Sequence, residues 1–452
     1  MSGGLDVDDL LAIGDRIVGR AKDGEQVEAV VVRSSDTEIR AYEGAVEQLS
    51  SAQTQGVGIR VVRDQRVGFA YAGSLDDDVL SETLEEARDN AGFGTPDEFV
   101  GLASPDGVPV PDLDLYRESL ADFPTDSKVE LAIALERAAR AADPRISGVE
   151  SADYVDSIAE GAVVTTTGIR TAARETAAYV MASVLAAEGD ETQTGFGFSV
   201  GREPGDLDLD KAAADAAERA TRMLGATKPP SQRLTVILDP WVTAQLLAII
   251  GGTLSGEAVL KGRSPFADRV GDEIGNGLLT LVDDPTNPEA FTATQTDGEG
   301  LATRRNPLIE GGVLKGFLHN SYTARRLGTV STGSAVRGFK STPSAGARAV
   351  SLLPGTKSQA ELVADVGEGI LVQSVSGLHS GVNPVSGDFS TGAEGLRIAG
   401  GAVGAPLREF TIASTLQRIL HDVLAVGGDI EWLPMSAAGV SLVIGDVTVS
   451  GS

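Results

Sequence analysis

The first half of the sequence contains the same pattern twice. The segment "VEAVVV", which begins at Val27, parallels "VESADY", which begins at Val149. Further along, "LDDDVLSETLEEARDNA" parallels "LDLDKAAADAAERA", and the offset between matching segments is close to constant. Self-similarity at a fixed offset indicates a repeated structural unit. The pattern therefore predicts a strand-rich unit with a closing helix, present twice in one α/β domain with an antiparallel sheet.

The repeat also assigns segments whose composition is ambiguous. Alternating and β-branched stretches between residues 27 and 72 predict five short strands joined at Gly and Asp. A helix is predicted over residues 127–142, after an irregular connection, residues 92–125, that is rich in Pro, Gly and Asp. The alanine-rich residues 170–187 favour a helix by propensity. Their place in the repeat predicts a strand instead.

A linker-like segment, "GATKPPSQR", separates the repeat from the rest of the chain. It divides the sequence into a predicted N-terminal α/β domain, residues 1–226, and a predicted C-terminal domain, residues 227–452. In the second part short strands alternate with Gly-rich turns, which is typical of a β-barrel or sandwich. One helix is predicted there from "STLQRILHDVLAV", and the glycines at 251–252 are expected to kink an earlier helix. The predicted fold class is α+β.

Composition limits the chemistry that this chain can perform. It contains no cysteine, which excludes disulfides, thiol nucleophiles and thiolate metal sites. The three histidines, His319, His379 and His421, are far apart in sequence, and no two have the spacing of metal ligands. No metal site is therefore predicted from the residues of this chain.

Charge and hydropathy limit the location and the partners. The formal net charge is −28, and an acidic surface repels phosphate backbones, which disfavours nucleic acid as a direct partner. No apolar run is long enough to span a membrane. The N-terminal stretch "MSGGLDVDDLLAIGD" lacks the basic and then apolar pattern of a signal peptide. A cytoplasmic protein without membrane contact is expected.

One short stretch, "TLSGEAVLKGRSPF", is similar to an active-site helix without its ligands. Glu257 precedes Lys261 by four residues, which is the favourable order for a salt bridge on a helix. The stretch is not interpreted as a metal site, because Gly256 offers no ligand and Lys261, like other lysines, is normally a cation. An acid–base role for Glu257 would require burial. The sequence alone favours the salt bridge.

Two further segments carry polar groups that permit more than one interpretation. "SGLHSGVNPVSGDFSTGAEG" places His379, Asp388 and Glu394 in a Gly-rich region with several serines. A Ser–His–Asp triad is conceivable, but tight β-turns explain the glycines and no G-x-S-x-G elbow is present.

In "DGEGLATRRNPLIEGG", acidic residues precede Arg304 and Arg305. This segment predicts either a salt-bridged barrel rim or a peptide-binding rim.

These motifs together resemble the TldD/PmbA family, and within it the PmbA (TldE) branch. The resemblance rests on "DGEGLATRRNPLIEGGVLKGFLHNSYTARRLG", "STGSAVR", "GVNPVSGDFSTGAEGLRIAGGAV" and "REFTIASTLQRILHDVLAVGGDI", with "TTTGI" and the N-terminal repeat in agreement. It implies an N-terminal α/β domain and a C-terminal β-barrel-like domain. The TldD branch is a zinc protease with a His-Glu-x-x-x-His helix and a cysteine ligand. The PmbA branch lacks those ligands and pairs with TldD.

The resemblance can be carried over to individual residues. The zinc helix of the family falls on "GEAVLK", so Gly256 stands at the first histidine, Glu257 at the general base and Lys261 at the second histidine. The cysteine ligand would fall near "EWLPMSAAG", where no cysteine exists. The resemblance thus implies no cofactor in this chain and zinc in a partner subunit.

The sequence therefore predicts a partner subunit of a zinc metalloprotease that holds peptide substrate in extended form, through strand edges. Its predicted peptide-binding residues are Arg304, Arg305, His379, Asp388 and Glu394. Two rivals remain open at this point. One is a homodimeric peptide-binding or chaperone-like protein without a protease partner. The other is a metal-independent hydrolase that uses His379 with a nearby Ser or Asp.

Overall fold

The computed structural model describes residues 7–451, so the first six residues of the N-terminal stretch "MSGGLDVDDLLAIGD" lie outside it. The fold is α+β, as predicted, and its N-terminal part is built on one antiparallel sheet in the order β3-β2-β1-β4-β5-β6. The strands are β1 (Gln26–Tyr42), β2 (Ala45–Arg63), β3 (Arg66–Ala72), β4 (Ile146–Thr165), β5 (Arg170–Glu188) and β6 (Glu191–Gly201). The two repeats therefore meet at the centre of the sheet, where β1 pairs with β4.

The strands are longer than the sequence predicted. The five short strands expected between residues 27 and 72 are three strands in the structure, because Ser and Asp in mid-strand stay within the β1–β2 ladder. The turns occur where the backbone takes positive φ, at Glu43 (53°) and Gly44 (77°) and again at Asp64 (49°) and Gln65 (59°). Positive φ at consecutive residues is what a tight hairpin needs, and a polar residue alone does not supply it.

Helices cover one face of this sheet. They are α1 (Val7–Val18), α2 (Asp77–Phe93), α3 (Glu118–Ala121), α4 (Thr125–Ala141) and α5 (Leu209–Thr221), with a 3₁₀ turn at Pro204–Asp206. Val27, Ala29 and Val31 pack under α1 and α2, and Ile39 and Ala41 pack under α4. Since side chains alternate along a strand, Glu28 points to the opposite face, where the C-terminal domain lies.

The alanine-rich segment confirms the repeat-based prediction. Residues 170–187 form β5, which pairs with β4 along one edge and with β6 along the other. Its burial alternates along the strand, with Ala178, Val180 and Ala182 fully buried. Packing of the small residues against α4 and α5 outweighs their helical propensity. The predicted helix at 127–142 is also present, as α4.

The C-terminal part contains a closed barrel. Strand β16 pairs with β20 in addition to β15, which closes the five strands β16, β15, β14, β7 and β20 into a barrel with β17 attached. The strands of this part are β7 (Gln232–Leu238), β8 (Leu281–Asp283), β9 (Asn306–Glu310), β10 (Val313–Leu314), β11 (Ala335–Val336), β12 (Ser344–Ala345), β13 (Val350–Leu352), β14 (Gly369–Ser376), β15 (Asp388–Ala399), β16 (Ala402–Thr415), β17 (Val423–Val426), β18 (Glu431–Trp432), β19 (Ala438–Gly439) and β20 (Leu442–Ser450).

The helices of the C-terminal part are α6 (Pro240–Thr253), α7 (Gly256–Leu260), α8 (Ser321–Leu327), α9 (Gln359–Val366), α10 (Leu378–Gly381) and α11 (Leu416–His421). The Asp239 carboxylate caps α6 by accepting the Trp241 backbone N–H. The expected kink is wrong in position, because α6 runs through Gly251 and Gly252 and breaks only at Leu254. No helix in the described part of the chain is long and apolar enough to cross a membrane.

The helix predicted from "STLQRILHDVLAV" is wrong in its second half. Helix α11 ends at His421, and Val423–Val426 is strand β17, which pairs with β20. Val423 is buried opposite Ile444 in that ladder. β-branched residues next to an available strand edge gain more from pairing than from continuing a helix.

Candidate functional site

The stretch "GEAVLK" forms a helix of its own between α6 and α8. The Ser255 side chain caps helix α7 by accepting the Ala258 N–H at 3.2 Å. The Gly256 N–H donates to the Leu318 carbonyl at 2.8 Å, which ties the start of α7 to the residues preceding α8. These bonds fix the side of α7 that faces α8.

Glu257 and Lys261 form the ion pair that their spacing predicts. Both side chains are partly exposed, Glu257 at 32% and Lys261 at 54%. An exposed pair of this kind contributes little to stability. Glu257 is therefore a solvent-facing carboxylate with a cationic neighbour, and the burial that an acid–base role would require is missing.

The other side of α7 is filled by His319. A Cβ atom placed on Gly256 would lie 2.3 Å from the His319 Nδ1 and 3.0 Å from the Thr323 Cβ. His319 is 6% exposed, its Nδ1 lies 3.3 Å from the Thr323 Oγ1, and its backbone N–H donates to the Thr332 Oγ1 at 2.7 Å. Burial lowers the pKa of the imidazole, so the ring is neutral at pH 7. Position 256 has no room for a side chain.

A zinc ion does not fit the residues at this position. Gly256 has no donor atom, Lys261 is paired with Glu257, and the sequence contains no cysteine. Across residues 7–451, no group of three or more His, Cys, Asp or Glu side chains could hold a metal ion. Structural and catalytic zinc sites need three or four such ligands.

A cleft of about 890 Å³ opens beside α7, between the N-terminal and C-terminal parts. One wall is the connection that the sequence marked only as irregular, and the others include α7, α8 and the adjoining parts of β2 and β3. The lining residues are Arg60, Val62, Val67, Thr95, Pro96, Asp97, Glu98, Phe99, Val100, Gly101, Glu257, Leu260, Lys261, Asn320, Tyr322, Thr323, Arg326, Thr342, Pro343 and Ser344. Glu257 and Lys261 thus lie in the largest cleft described.

Hydrogen bonds from α8 hold the wall formed by residues 95–101 in place. The Tyr322 hydroxyl donates to the Asp97 carboxylate at 2.8 Å. The Phe99 backbone N–H, more than this hydroxyl, lowers the pKa of Asp97. Arg325 donates to the carbonyls of Phe99 at 2.6 Å and Gly101 at 2.7 Å. The Arg326 guanidinium lies 5.0 Å from the centre of the Phe99 ring, a cation–π arrangement on the cleft surface.

A buried ion network lies next to this cleft and joins the two parts of the chain. Arg60 donates to both oxygens of Glu28, at 3.0 and 2.7 Å, and Arg337 pairs with the same carboxylate. Arg60 also approaches Glu299 at 3.6 Å. Burial opposes ionisation of Glu28, but the charges of Arg60 and Arg337 outweigh it and lower the pKa of Glu28. The network is fully desolvated, with Glu28 and Glu299 both 0% exposed.

The "DGEG" segment belongs to this interior and not to a rim. Asp297 accepts the backbone N–H groups of Glu299 at 2.8 Å, Leu301 at 3.0 Å and Ala335 at 3.0 Å. Burial, together with the Glu299 charge, raises the pKa of Asp297 to about 7. Glu299 accepts the Ser321 N–H at 2.8 Å and its hydroxyl at 2.5 Å. The predicted barrel or peptide-binding rim is therefore wrong for these two acids, which are needed to satisfy backbone donors.

The predicted peptide-binding residues lie apart from the cleft. Arg304 pairs with Asp106 at 2.5 Å, and Arg305 lies 4.0 Å from Asp284. The other three, His379, Asp388 and Glu394, lie on the exposed β14–β15 hairpin. None of the five is among the residues that line the cleft. Their role in binding peptide stays a prediction.

The hairpin residues do not form a triad. Asp388 accepts the Ser386 hydroxyl at 2.7 Å, and among the hydrogen bonds described none joins His379 to either residue. All three side chains are exposed. A catalytic triad needs a base within hydrogen-bond reach of its nucleophile.

Sequence reasoning missed Glu28, Arg60 and Arg337 as a unit. A signal existed for the first two, because each is a charge with apolar neighbours on both sides, in "VEAVVV" and "GIRVV". A buried charge almost always has a partner. Nothing in the sequence indicated that the partner was Arg337, which lies 309 residues beyond Glu28.

Comparison with known families agrees with this architecture. Three family models match in order: PmbA/TldA metallopeptidase domain 1 over residues 27–91, the central domain over 118–224 and the C-terminal domain over 231–451. The chain belongs to the PmbA/TldD family. The family models divide the N-terminal part in two, although the structure joins both repeats in one sheet. The division at residue 226 stays a prediction.

Members of the PmbA/TldD family resemble the chain along nearly its whole length. Metalloprotease PmbA of Escherichia coli O157:H7 is 28% identical over 407 residues, which cover 89% of this chain and 88% of that one. The crystal structure of TldE from Thermococcus kodakarensis is 26% identical with a TM-score of 0.88, covering 98% of this chain and 99% of the other. A putative modulator of DNA gyrase from Thermotoga maritima is 25% identical with a TM-score of 0.90, covering 97% and 99%.

Proposed function

We propose that this chain is the metal-free subunit of a two-chain PmbA/TldD-type zinc protease in the cytoplasm. A TldD-like partner supplies the zinc, the water and the general base. The substrates are peptides and unfolded segments, including peptide precursors that are matured by cleavage. This chain contributes a wall of the substrate chamber.

The contact between Gly256 and His319 carries this proposal. By the resemblance, the family's zinc-helix position falls on Gly256, and a buried imidazole takes the volume that a side chain at residue 256 would need. A chain packed in this way lacks a ligand at residue 256, and it also lacks the space for one. Proteolysis by the complex then requires a second chain with the intact helix.

The cleft beside α7 is the proposed contact with peptide. It offers an aromatic ring with a guanidinium beside it, Phe99 and Arg326, and carboxylates at Asp97 and Glu98. Such a surface can hold an extended chain through ring contacts and hydrogen bonds without reading a particular sequence. This agrees with a substrate class of unfolded segments.

The test of the partnership is recovery of the native assembly. An affinity-tagged chain is expressed in its own host and its partners are identified. Recovery of a homologue with a His-Glu-x-x-x-His helix in equal amount is the expected result. Recovery of the chain with itself alone would favour the rival, a homodimeric peptide-binding protein.

The test of activity uses an unstructured, fluorescently labelled peptide. The complex is expected to cleave it, and a chelator is expected to abolish cleavage. The pure chain is expected to be inactive, and cleavage by the pure chain after exhaustive chelation would overturn the proposal in favour of a metal-independent hydrolase. Arg326→Ala in the complex is expected to raise KM, whereas Lys357→Ala, on an exposed pair far along the chain, serves as the matched control.

A further inference from the structure

A separate cavity of about 560 Å³ lies between helix α5 of the N-terminal part and the C-terminal part. It shares no lining residue with the cleft beside α7. One wall is a face of α5 that carries Lys211 and Arg219 and ends at Arg222. The opposite wall includes Asp239 and Gln373. The cavity therefore places cations on one side and oxygen acceptors on the other.

Asp239 and Gln373 reach the cavity side by side. Strands β7 and β14 pair in parallel with Leu238 opposite Val372, so the next residue of each strand lies at the same end of the pair. Gln373 is 5% exposed, and its Oε1 is enclosed without a hydrogen-bond partner in the described part of the chain. Buried amide oxygens nearly always accept a hydrogen bond, so this oxygen indicates a donor from outside the chain.

The Asp239 carboxylate offers a second acceptor at the same place. Its Oδ1 accepts the Trp241 N–H at 3.1 Å and the Arg219 guanidinium at 3.1 Å. Among the hydrogen bonds of residues 7–451, none reaches its Oδ2. Because one of the two acceptors belongs to a carboxylate, the pair favours a cationic donor such as an ammonium group.

Arg222 supplies the opposite chemistry. Its guanidinium pairs with Glu218, whose side chain is 64% exposed, and a guanidinium has five N–H donors. Burial lowers the pKa of Arg222, although the charges of Asp239 and Asp215 raise it. An anion beside this desolvated guanidinium would be attracted with little screening by solvent.

The other two cations of this wall are more fully engaged than Arg222. Lys211 binds Asp215 at 2.8 Å and Glu431 at 2.9 Å, and Arg219 binds Asp239. The ion pairs described for Arg222 do not include Asp239. Arg222 and the Asp239 Oδ2 are therefore both available to a ligand that carries one charge of each sign.

We propose that this cavity binds a free α-amino acid with an aliphatic side chain. The ammonium group of the ligand donates to the Asp239 Oδ2 and the Gln373 Oε1, and its carboxylate accepts from Arg222. Pro240 and Ile430 line the same cavity and offer apolar surface to the side chain.

The electrostatics favour a zwitterion over an ion of either sign. The net charge of −28 opposes a free anion such as phosphate. The guanidinium groups of Arg219 and Arg222 oppose a ligand that is only cationic. An α-amino acid has no net charge and presents both charged groups at once. This inference does not rest on the proposed protease partnership, because binding is measured on the pure chain.

The first experiment is isothermal titration calorimetry of the pure chain with L-leucine. One L-leucine is expected to bind per chain. Leucinamide lacks the carboxylate and N-acetyl-L-leucine lacks the ammonium group, and each is expected to bind at least tenfold more weakly, because charged hydrogen bonds are lost. Absence of L-leucine binding at millimolar concentration would overturn the inference, and so would equal binding of the three compounds.

Substitutions assign the two ends of the ligand. Arg222→Gln is expected to weaken L-leucine binding at least tenfold and to leave the weaker binding of leucinamide unchanged. Arg233→Gln, on an exposed pair with Asp446 outside the cavity, is the matched control and is expected to bind L-leucine normally. Equal effects of the two changes would contradict a role for Arg222.

Gln373→Leu separates binding from folding. The change removes the enclosed acceptor and keeps a side chain of similar size. L-leucine binding is expected to weaken at least tenfold, whereas the melting temperature of the ligand-free chain is expected to stay the same or rise, since an unpaired buried acceptor destabilises the fold. Normal binding by this variant, or a lower melting temperature, would show that Gln373 is not a ligand of the amino acid.

Discussion

The imidazole of His319 occupies the space in which the side chain of residue 256 would begin. The distance from the His319 Nδ1 to a Cβ at that position would be 2.3 Å, well inside contact distance. Because His319 is buried and held by Thr323 and by Thr332, it cannot move aside without breaking other contacts. The buried side chain of His319 therefore requires glycine at position 256.

Gly256→Ala tests this pairing. The added methyl group must displace His319, so we expect a loss of about 1–3 kcal/mol in the free energy of unfolding, typical of overpacking. Gly252→Ala, in α6, is the control, since a Cβ there meets nothing within 4 Å. That change is expected to stabilise the helix by about 0.5–1 kcal/mol. Chemical denaturation measures both variants.

Removing the His319 side chain together with the Gly256 substitution gives a stricter test of the same prediction. His319→Ala removes the clashing ring, and combined with Gly256→Ala it is expected to cost less than the sum of the two single changes. The double-mutant cycle measures the difference. Additive single changes would contradict a direct clash. Gly256→His is likewise expected to destabilise the chain without conferring zinc binding, which metal analysis after dialysis checks.

Removal of Glu28 is expected to have a larger effect. Glu28→Ala leaves Arg60 and Arg337 buried without their shared carboxylate. Removing one partner of a buried ion network costs about 3–5 kcal/mol. Asp365→Ala breaks the exposed pair with Lys357 and is expected to cost much less, because solvent screens that pair. Equal effects of the two changes on urea denaturation would show that the buried network is not a main source of stability.

The stability of the chain should depend on pH through Asp283. Burial raises the pKa of Asp283 to about 6, although it accepts N–H bonds from Arg348 and Ala349. The folded state then binds the proton more tightly than the unfolded state, whose aspartate pKa is about 3.9. Folding stability from this group is therefore present at low pH and is lost as pH rises from about 4 to about 6.

Asp283→Asn removes that dependence. The amide does not titrate, so the difference in free energy of unfolding between Asp283→Asn and the parent is expected to grow with pH in favour of the variant. The growth approaches about 3 kcal/mol at about 1.4 kcal/mol per pH unit and stops above about pH 7. Melting curves across this range measure it. The neighbouring Asp284→Asn is the control, and a constant difference for Asp283→Asn would refute the assignment.

Arg325 should hold the cleft wall in place. Its guanidinium donates to the carbonyls of Phe99 and Gly101, which are otherwise in an irregular connection. Arg325→Ala is expected to raise amide hydrogen exchange in residues 95–112 at least tenfold, since hydrogen bonds to charged groups contribute about 1.5–3 kcal/mol. Arg326→Ala, on the same helix, lacks bonds to these carbonyls and is expected to change exchange there much less.

Local patterns in the sequence predicted the architecture well where a repeat or a spacing decided it. The repeat placed the alanine-rich β5 correctly against its propensity, and the i, i+4 spacing predicted the Glu257–Lys261 pair. Strand lengths were wrong because polar residues mark a turn only where the backbone takes positive φ. The second half of the helix predicted over 414–426 was wrong because an edge of β20 was available to Val423.

The contacts that define the cleft and its surroundings could not be predicted from the sequence, for a different reason. His319 lies 63 residues beyond Gly256, and Arg337 lies 309 residues beyond Glu28. One sequence gives the charge and size of such residues but not which of them meet. The acids of "DGEG" were therefore expected at a surface, although the fold buries them against backbone donors.

The carboxylate of Glu28 also bears on how the chain can be divided. One of its two cations, Arg60, comes from the N-terminal sheet, and the other, Arg337, comes from the part that follows the linker. A fragment truncated near residue 226 would keep the carboxylate but lose Arg337 and the cover over that face of the sheet. We therefore expect neither half to be as stable alone as the linker suggests. Unfolding is expected to be a single cooperative transition of the whole chain.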